Sequence, residues 1–191
     1  MSDTVREKRE AIINAALKLF TERGFDNTPT ALISQEAGVA TGTLFRYYPT
    51  KEDLINSTYV IAKNRFAAAM AEGLEDEETL EGKMRRIWGN TIRWGLKSPR
   101  ELLFLEQFMS SPYISKITEE EVMKRFVFLS DLIEEGVGEG KLRDIHRGLI
   151  FEMMFSANRA VIKKILTYRL QDQTEMLIDG SFELVWSGLS R

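Results

Sequence analysis

The side chains of this chain whose types and spacing could do chemistry are not a carboxylate pair or a histidine beside a nucleophile. They form a short run, Thr41, Gly42, Thr43, Arg46 and Tyr47, with Lys51 just beyond Pro49. The pattern predicts a helix from Gly42 to Tyr48, with Thr41 as N-cap and Pro49 ending it. Leu44 and Tyr48 lie four apart and turn inward, which leaves the polar run outside. Glycine and threonine permit close approach, a guanidinium can hold guanine or a phosphate, and a phenol can reach a phosphate oxygen. This is the chemistry of nucleic-acid recognition. An ordinary solvated helix would carry similar residues, so the elements that position the run must decide.

Lys51 is the first of those signs. Thr50-Lys51-Glu52-Asp53 opens a long helix, with Thr50 as cap and Asp53 at the third position as its capping-box partner. Two acidic residues suit the positive end of a helix, whereas a lysine does not. A phosphate bound at that end would be held by backbone N–H groups and Lys51 together.

The preceding elements supply a tight turn. Thr30 to Ala37 carries Leu32, Ile33 and Ala37 at helical spacing. Gly38 stands where that helix must stop and the chain reverse, and glycine enters the left-handed region without a Cβ clash. Val39 is expected to pack inward. Thr28-Pro29 offers a second start signal, so Thr28 and Thr30 are both candidate caps, and both are candidate contacts to the nucleic acid. Upstream, Thr4 to Arg23 presents Ile12, Ala16, Leu19 and Phe20 as one apolar stripe, Gly24 stops it, and Phe25 returns to the same core. Two short helices around a glycine turn are a means of placing a helix end in the DNA major groove.

The run Ala11 to Phe25, then Ile33, then Ala37-Gly38-Val39-Ala40-Thr41-Gly42-Thr43-Leu44-Phe45-Arg46-Tyr47-Tyr48-Pro49-Thr50-Lys51-Glu52-Asp53-Leu54, resembles the DNA-binding domain of the tetracycline-repressor (TetR) family over roughly residues 8 to 55. The resemblance implies a dimeric one-component regulator, in most members a repressor released by a small ligand. It also implies a role in DNA contact for the position of Phe45. The family has tyrosine where Phe45 stands, so a phosphate-bonding hydroxyl is missing here. It has phenylalanine where Tyr48 stands, so a hydroxyl in the core needs a partner.

Composition bounds the rest. The chain has 191 residues, 43% hydrophobic and 29% charged, enough for a small and a medium domain. No 18-residue apolar run occurs, and Met1-Ser2-Asp3-Thr4 leads into a charged helix, so a cytoplasmic protein without a signal peptide is expected. The absence of cysteine excludes disulfides and thiolate metal sites. A net charge of −3 is not that of a nonspecific nucleic-acid binder. Residues 1–65 hold 9 Lys and Arg against 8 Asp and Glu, a balance of +1, and the remainder hold 17 against 21, or −4. Affinity for DNA must therefore come from a local patch: Arg6, Lys8, Arg9, Arg46 and Lys51.

Beyond Lys51 every segment reads as helical. A linking helix extends to about Glu72, and an acidic start at Glu75-Asp76-Glu77-Glu78 precedes a helix to Lys97. Others open at Ser98-Pro99 and at Thr118. Gly136-Val137-Gly138-Glu139-Gly140-Lys141 is followed by neither Ser nor Thr and preceded by no strand, so it is a helix end and turn rather than a phosphate loop. The last helices, about Ile145 to Arg169 and Gln171 to Leu189, are apolar around too much of their circumference to be covered by one domain, which points to a two-fold helical interface; Val161 and Val185 are the test positions. His146 is the single histidine and sits beside Asp144 and Arg147, a surface or capping position, so neither a catalytic base nor a zinc site is expected.

The expectations are these. The fold is all-α, about nine helices, with residues 1–50 as a helix-turn-helix domain and 51–191 as a ligand-binding and dimerisation domain. The function is sequence-specific transcriptional regulation by a homodimer on a palindromic operator, with no cofactor and no metal. DNA contacts are assigned to Thr28, Thr30, Thr41, Gly42, Thr43, Phe45, Arg46, Tyr47 and Lys51. A largely apolar effector is assigned to Arg93, Trp94, Phe104, Phe108, Met123, Phe126, Met154, Phe155 and Asn158, where polar residues interrupt apolar runs. The rival readings are an effector-free architectural DNA-binding protein, and an enzyme or small-molecule carrier with a vestigial head.

Overall fold

The computed structural model describes residues 3–109, 113 and 115–191. Among these the chain runs through α1 (Asp3–Arg23), α2 (Thr30–Glu36), α3 (Thr41–Tyr47), α4 (Lys51–Ala71), α5 (Leu80–Lys97), α6 (Pro99–Met109), α7 (Lys116–Met123), α8 (Val127–Gly138), α9 (Arg147–Tyr168) and α10 (Thr174–Leu189). Short 3₁₀ turns stand at Leu74–Asp76, Lys124–Phe126 and Gln171–Gln173. The protein is all-α, and the one β feature among the described residues is an isolated bridge between Leu142 and Ser190. That makes ten α-helices rather than nine, because α7 and α8 are separate, with a 3₁₀ turn between them.

The chain forms two compact units: Met1–Asn64 with Pro99–Val122, and Arg65–Ser98 with Met123–Arg191. The first unit takes in α6 and α7 as well as the amino-terminal helices, so it is wider than residues 1–50. In it, α2 packs on α1 and α3, and α6 packs on α1. Ile12, Ile13, Ala16, Leu19 and Phe20 of α1 are buried with Ile33, Leu44, Tyr48, Leu54 and Ile55. Aromatic rings extend this core. Phe104 of α6 lies 6.2 Å from Phe20 and 5.8 Å from Phe25, and Phe108 stacks on Tyr59 at 4.0 Å. Such edge and stacked pairs add to the burial of large rings.

In the second unit, α5, α9 and α10 pack on one another and α8 lies on α9. Met84, Ile87, Trp88 and Ile92 of α5 are buried with Ile150, Met154, Ile162 and Ile165 of α9 and Ile178 and Phe182 of α10. The spacing of three and four within each helix sets these residues on one face. Trp88 Nε1 donates to Ser181 Oγ at 3.1 Å, so the buried indole keeps its hydrogen bond. The acidic start before α5 resolves into a 3₁₀ turn and a cap, where Thr79 Oγ1 accepts from Gly82 N at 3.0 Å. The glycine-rich segment ends α8: Gly140 has φ 70°, and a Cβ on Gly136 would meet Leu80 Cδ2 at 2.6 Å and Leu142 Cδ1 at 2.7 Å. Gly136 is glycine for lack of space, and Gly140 for its backbone angle.

Candidate functional site

The α2–α3 corner is fixed by local chemistry. Gly38 has φ 65°, which a β-carbon would strain although one would meet nothing within 4 Å. Ala37 N donates to Ile33 O at 2.9 Å, Gly38 N to Gln35 O at 3.1 Å and Val39 N to Ser34 O at 3.0 Å, which satisfies the last carbonyls of α2. Val39 is half-buried. Ser34, almost wholly buried, donates from Oγ to Ala31 O at 2.9 Å and lies 3.0 Å from Thr41 Oγ1, a side-chain link across the turn. Lys18 of α1 holds Glu36 at the end of α2 at 2.7 Å.

Two capping assignments change. Neither Thr28 nor Thr30 caps α2. Pro29 is the N-cap with φ −64° and ψ 142°, and Thr30 is the first helical residue. Thr28 is 0% exposed, and its hydroxyl donates to Gly24 O at 2.7 Å and Leu19 O at 3.2 Å. It fastens the exit of α1, so as a DNA-contact residue Thr28 is withdrawn. Ala40, extended at φ −64° and ψ 144°, is the N-cap of α3, and no side chain caps that helix. Thr41 is its first residue and bonds Ser34 instead. The helix ends at Tyr47, with Tyr48 as C-cap at φ −135°.

The remaining candidates lie along α3 and at the first residues of α2 and α4. Thr41, Gly42, Phe45 and Arg46 are exposed, and Thr30, Thr43, Tyr47 and Lys51 are half-buried. Leu44 and Tyr48 are in the core, as the spacing predicts. Arg46 lies over its neighbour, its guanidinium carbon 5.2 Å from the Tyr47 ring centre and Nη2 3.3 Å from Tyr47 Oη. A bare Cβ at Gly42 would meet nothing within 4 Å, so α3 presents an uncovered first turn. The capping box at α4 is complete: Asp53 N donates to Thr50 Oγ1 at 3.0 Å, and Thr50 N donates to Asp53 Oδ2 at 3.0 Å. Lys51 sits on that helix end and makes no ion pair among the described residues. Tyr48 Oη is buried and has no hydrogen-bond partner, and the guanidinium of Arg9 lies 5.9 Å from the centre of its ring.

The residues assigned to an effector do not all come together. Phe104 and Phe108 belong to the first unit and its aromatic core. Met123 is 54% exposed. Arg93 turns to α10, where its Nε donates to Glu175 Oε1 at 3.0 Å and its Nη2 lies 2.5 Å from Oε2. The hydrogen bond from Arg93 holds the Glu175 carboxyl below its usual value, against the opposing effect of burial. Trp94 and Phe126 are buried against Phe66, at 4.7 and 5.9 Å. These are core or surface positions because the helices that carry them turn those faces elsewhere.

Met154, Phe155 and Asn158 do meet, at a small cavity of ≈ 10 Å³ in the second unit. Its other walls are Met70, Ile87, Thr91, Leu129 and Phe151. Phe151 and Phe155 are half-buried and stack at 6.2 Å and 3°. Thr91 Oγ1 donates to Ile87 O at 2.7 Å, whereas Asn158 Oδ1, buried, has no partner. The sequence reading missed Ser34, Thr91 and Phe151. A serine or threonine on the buried face of a helix, and a Phe pair four apart, were the signals available.

The helix-turn-helix corner, the open first turn of α3 and the all-α body are those of a DNA-binding transcription regulator. Residues 12–58 match the family described as "Bacterial regulatory proteins, tetR family". The chain is 28% identical to a TetR-family transcription regulator from Shewanella sp. PV-4, with a TM-score of 0.86 over 96% of this chain and 98% of that one. It is 24% identical to the fatty acid metabolism regulator protein of Bacillus subtilis, over 96% of each chain. A structure of the Bacillus subtilis transcriptional regulator FadR in complex with stearoyl-CoA shares the fold at a TM-score of 0.77, with 20% identity over 94% of this chain and 98% of that one. The match gives residues 12–58 a TetR-type DNA-binding domain, and over its whole length the chain is similar to TetR-family transcription regulators. No helix among the described residues is long and apolar enough to cross a membrane.

Proposed function

We propose that the protein is a ligand-released repressor that binds a palindromic operator as a homodimer in the cytoplasm, with residues 1–50 reading DNA and 51–191 serving effector binding and dimerisation. The observation that carries this reading is the uncovered first turn of α3, with Lys51 at the N-terminus of α4, the helix that follows it. Thr41, Gly42 and Thr43 allow close approach, Arg46 swings off Tyr47 to a base edge, and Lys51 with the helix end binds a phosphate. Phe45 offers an apolar contact to a thymine methyl group.

Leu149 and Met153 on α9 and Met176 and Leu184 on α10 are exposed, the last by 76%. The spacings of four and eight place each pair on one helix face. Matching faces from two copies give a four-helix, two-fold interface that sets the heads about 35 Å apart for successive major grooves. Val185 is half-buried and lies opposite Met176 around α10, so Leu184→Asp is the better probe. Sedimentation is expected to give a monomer for Leu184→Asp, and an unchanged dimer would remove this interface.

The effector is proposed to be a largely apolar small molecule at the Asn158 cavity. The stearoyl-CoA of the Bacillus subtilis regulator is apolar along its chain, but an identity of 20% carries only the fold across to this protein. Met70 lines the cavity, and its carbonyl accepts from Asn90 Nδ2 at 3.3 Å, so a ligand that displaces Met70 would move the end of α4, the helix that begins at Lys51. A cavity with room for about one water also suits the effector-free reading.

The decisive experiment is a mobility shift across a pool of sequences at several salt concentrations. A palindrome should be selected. Lys51→Ala should weaken all sequences alike and lower the salt slope by about one unit per half-site. Arg46→Ala should cost about 1–3 kcal/mol per half-site and relax discrimination. Identical, sequence-independent losses for both would overturn the division of labour.

A further inference from the structure

One polar atom in the second unit is left over after packing is accounted for. Asn158 is 3% exposed on α9 and lines the cavity, and its Oδ1 has no hydrogen-bond partner. Around it, Met70, Ile87, Leu129 and the two phenylalanines offer only carbon and sulfur side-chain atoms, and the hydroxyl of Thr91 is already donated to Ile87 O. A buried acceptor without a donor opposes folding, so an amide kept there is explained by a donor that arrives later.

We propose that Asn158 is the specificity-determining residue of this cavity, and that it selects an effector with a hydroxyl or N–H group on an otherwise apolar body. The inference rests on the effector reading above and deepens it. A donor pointed at Asn158 Oδ1 pairs the fully buried oxygen that the wall leaves without a partner. A carboxylate or thioester carbonyl in that place could take only the amide N–H groups and would leave Oδ1 unpaired, so an unsubstituted acyl chain satisfies less of the site than a hydroxylated one. The cavity of ≈ 10 Å³ must open to admit such a molecule. Phe151 and Phe155 at its half-buried side, and the unbranched side chains of Met70 and Met154, are the walls able to yield.

The test uses matched probes on the full-length protein: indole against benzothiophene, which lacks the N–H, and 1-octanol against octyl methyl ether. Calorimetric titration and thermal shift give the ratio of Kd values within each pair, for the native protein and for Asn158→Leu, which keeps the volume. The donor member should be favoured by the native protein, and its advantage should fall about tenfold in Asn158→Leu, since an acceptor left unpaired carries that order of cost. Should that variant not fold, Asn158→Ala must show the same fall. An unchanged ratio, or a native protein that binds both members of each pair equally, overturns the inference and leaves the effector reading in place. If the native protein binds none of the four probes, the effector reading fails, and this inference with it.

Discussion

The α2–α3 corner and the Asn158 cavity both take polar side chains out of water, and they treat them in opposite ways. At the corner Ser34 and Thr28 are buried and every hydroxyl has a partner: Ser34 on Ala31 O and Thr41, Thr28 on Gly24 O and Leu19 O. At the cavity Asn158 is equally buried and its oxygen has none. A reading head must present one geometry, and satisfied buried hydrogen bonds hold a unique arrangement. A ligand site gains its selectivity from a need left open. Burial alone therefore does not distinguish structure from site; at Asn158 the added sign is an unmet hydrogen bond on the wall of a cavity.

The sharpest break of this comparison is Thr28→Val, which keeps the shape and removes the hydroxyl. It should cost about 1–3 kcal/mol in urea unfolding, because buried carbonyls lose a donor. Asn158→Leu should cost nothing and should stabilise by up to about 1–2 kcal/mol, since a desolvated oxygen without a partner is removed. If Asn158→Leu proves as damaging as Thr28→Val, the amide is satisfied in the free protein and the contrast disappears. The smallest effect is expected at Tyr48, whose buried Oη also lacks a partner. Tyr48→Phe should raise stability by about 0.5–1 kcal/mol, in keeping with the phenylalanine expected at that position. A loss there would mean that the hydroxyl is bonded.

The head was legible because its signals are local. Gly24 and Gly38 sit where the chain turns with φ 77° and 65°, Thr50 and Asp53 form the capping box their spacing predicts, and Leu44 and Tyr48 face inward at i and i+4. Where local rules offered two solutions the structure took the other: Thr28 and Thr41 have the residue type of a cap, but Thr28 bonds carbonyls at the end of α1 and Thr41 bonds Ser34 across the turn. The body was legible as helices and not as a site. Aromatic type does not say which unit a ring will join, and Phe104 and Phe108 went to the core around Phe20 and Phe25 while Phe155 went to the cavity.

What the sequence by itself determined is the helical class, the turn that makes a reading head, the exposed residues of α3 and the cation on the following helix, because each depends on backbone angles and contacts within a few residues. Only the tertiary structure decided which buried polar groups would be satisfied. That outcome depends on atoms brought together from helices far apart in the chain: α4, α5, α8 and α9 converge on one cavity and leave the oxygen of Asn158 without a donor.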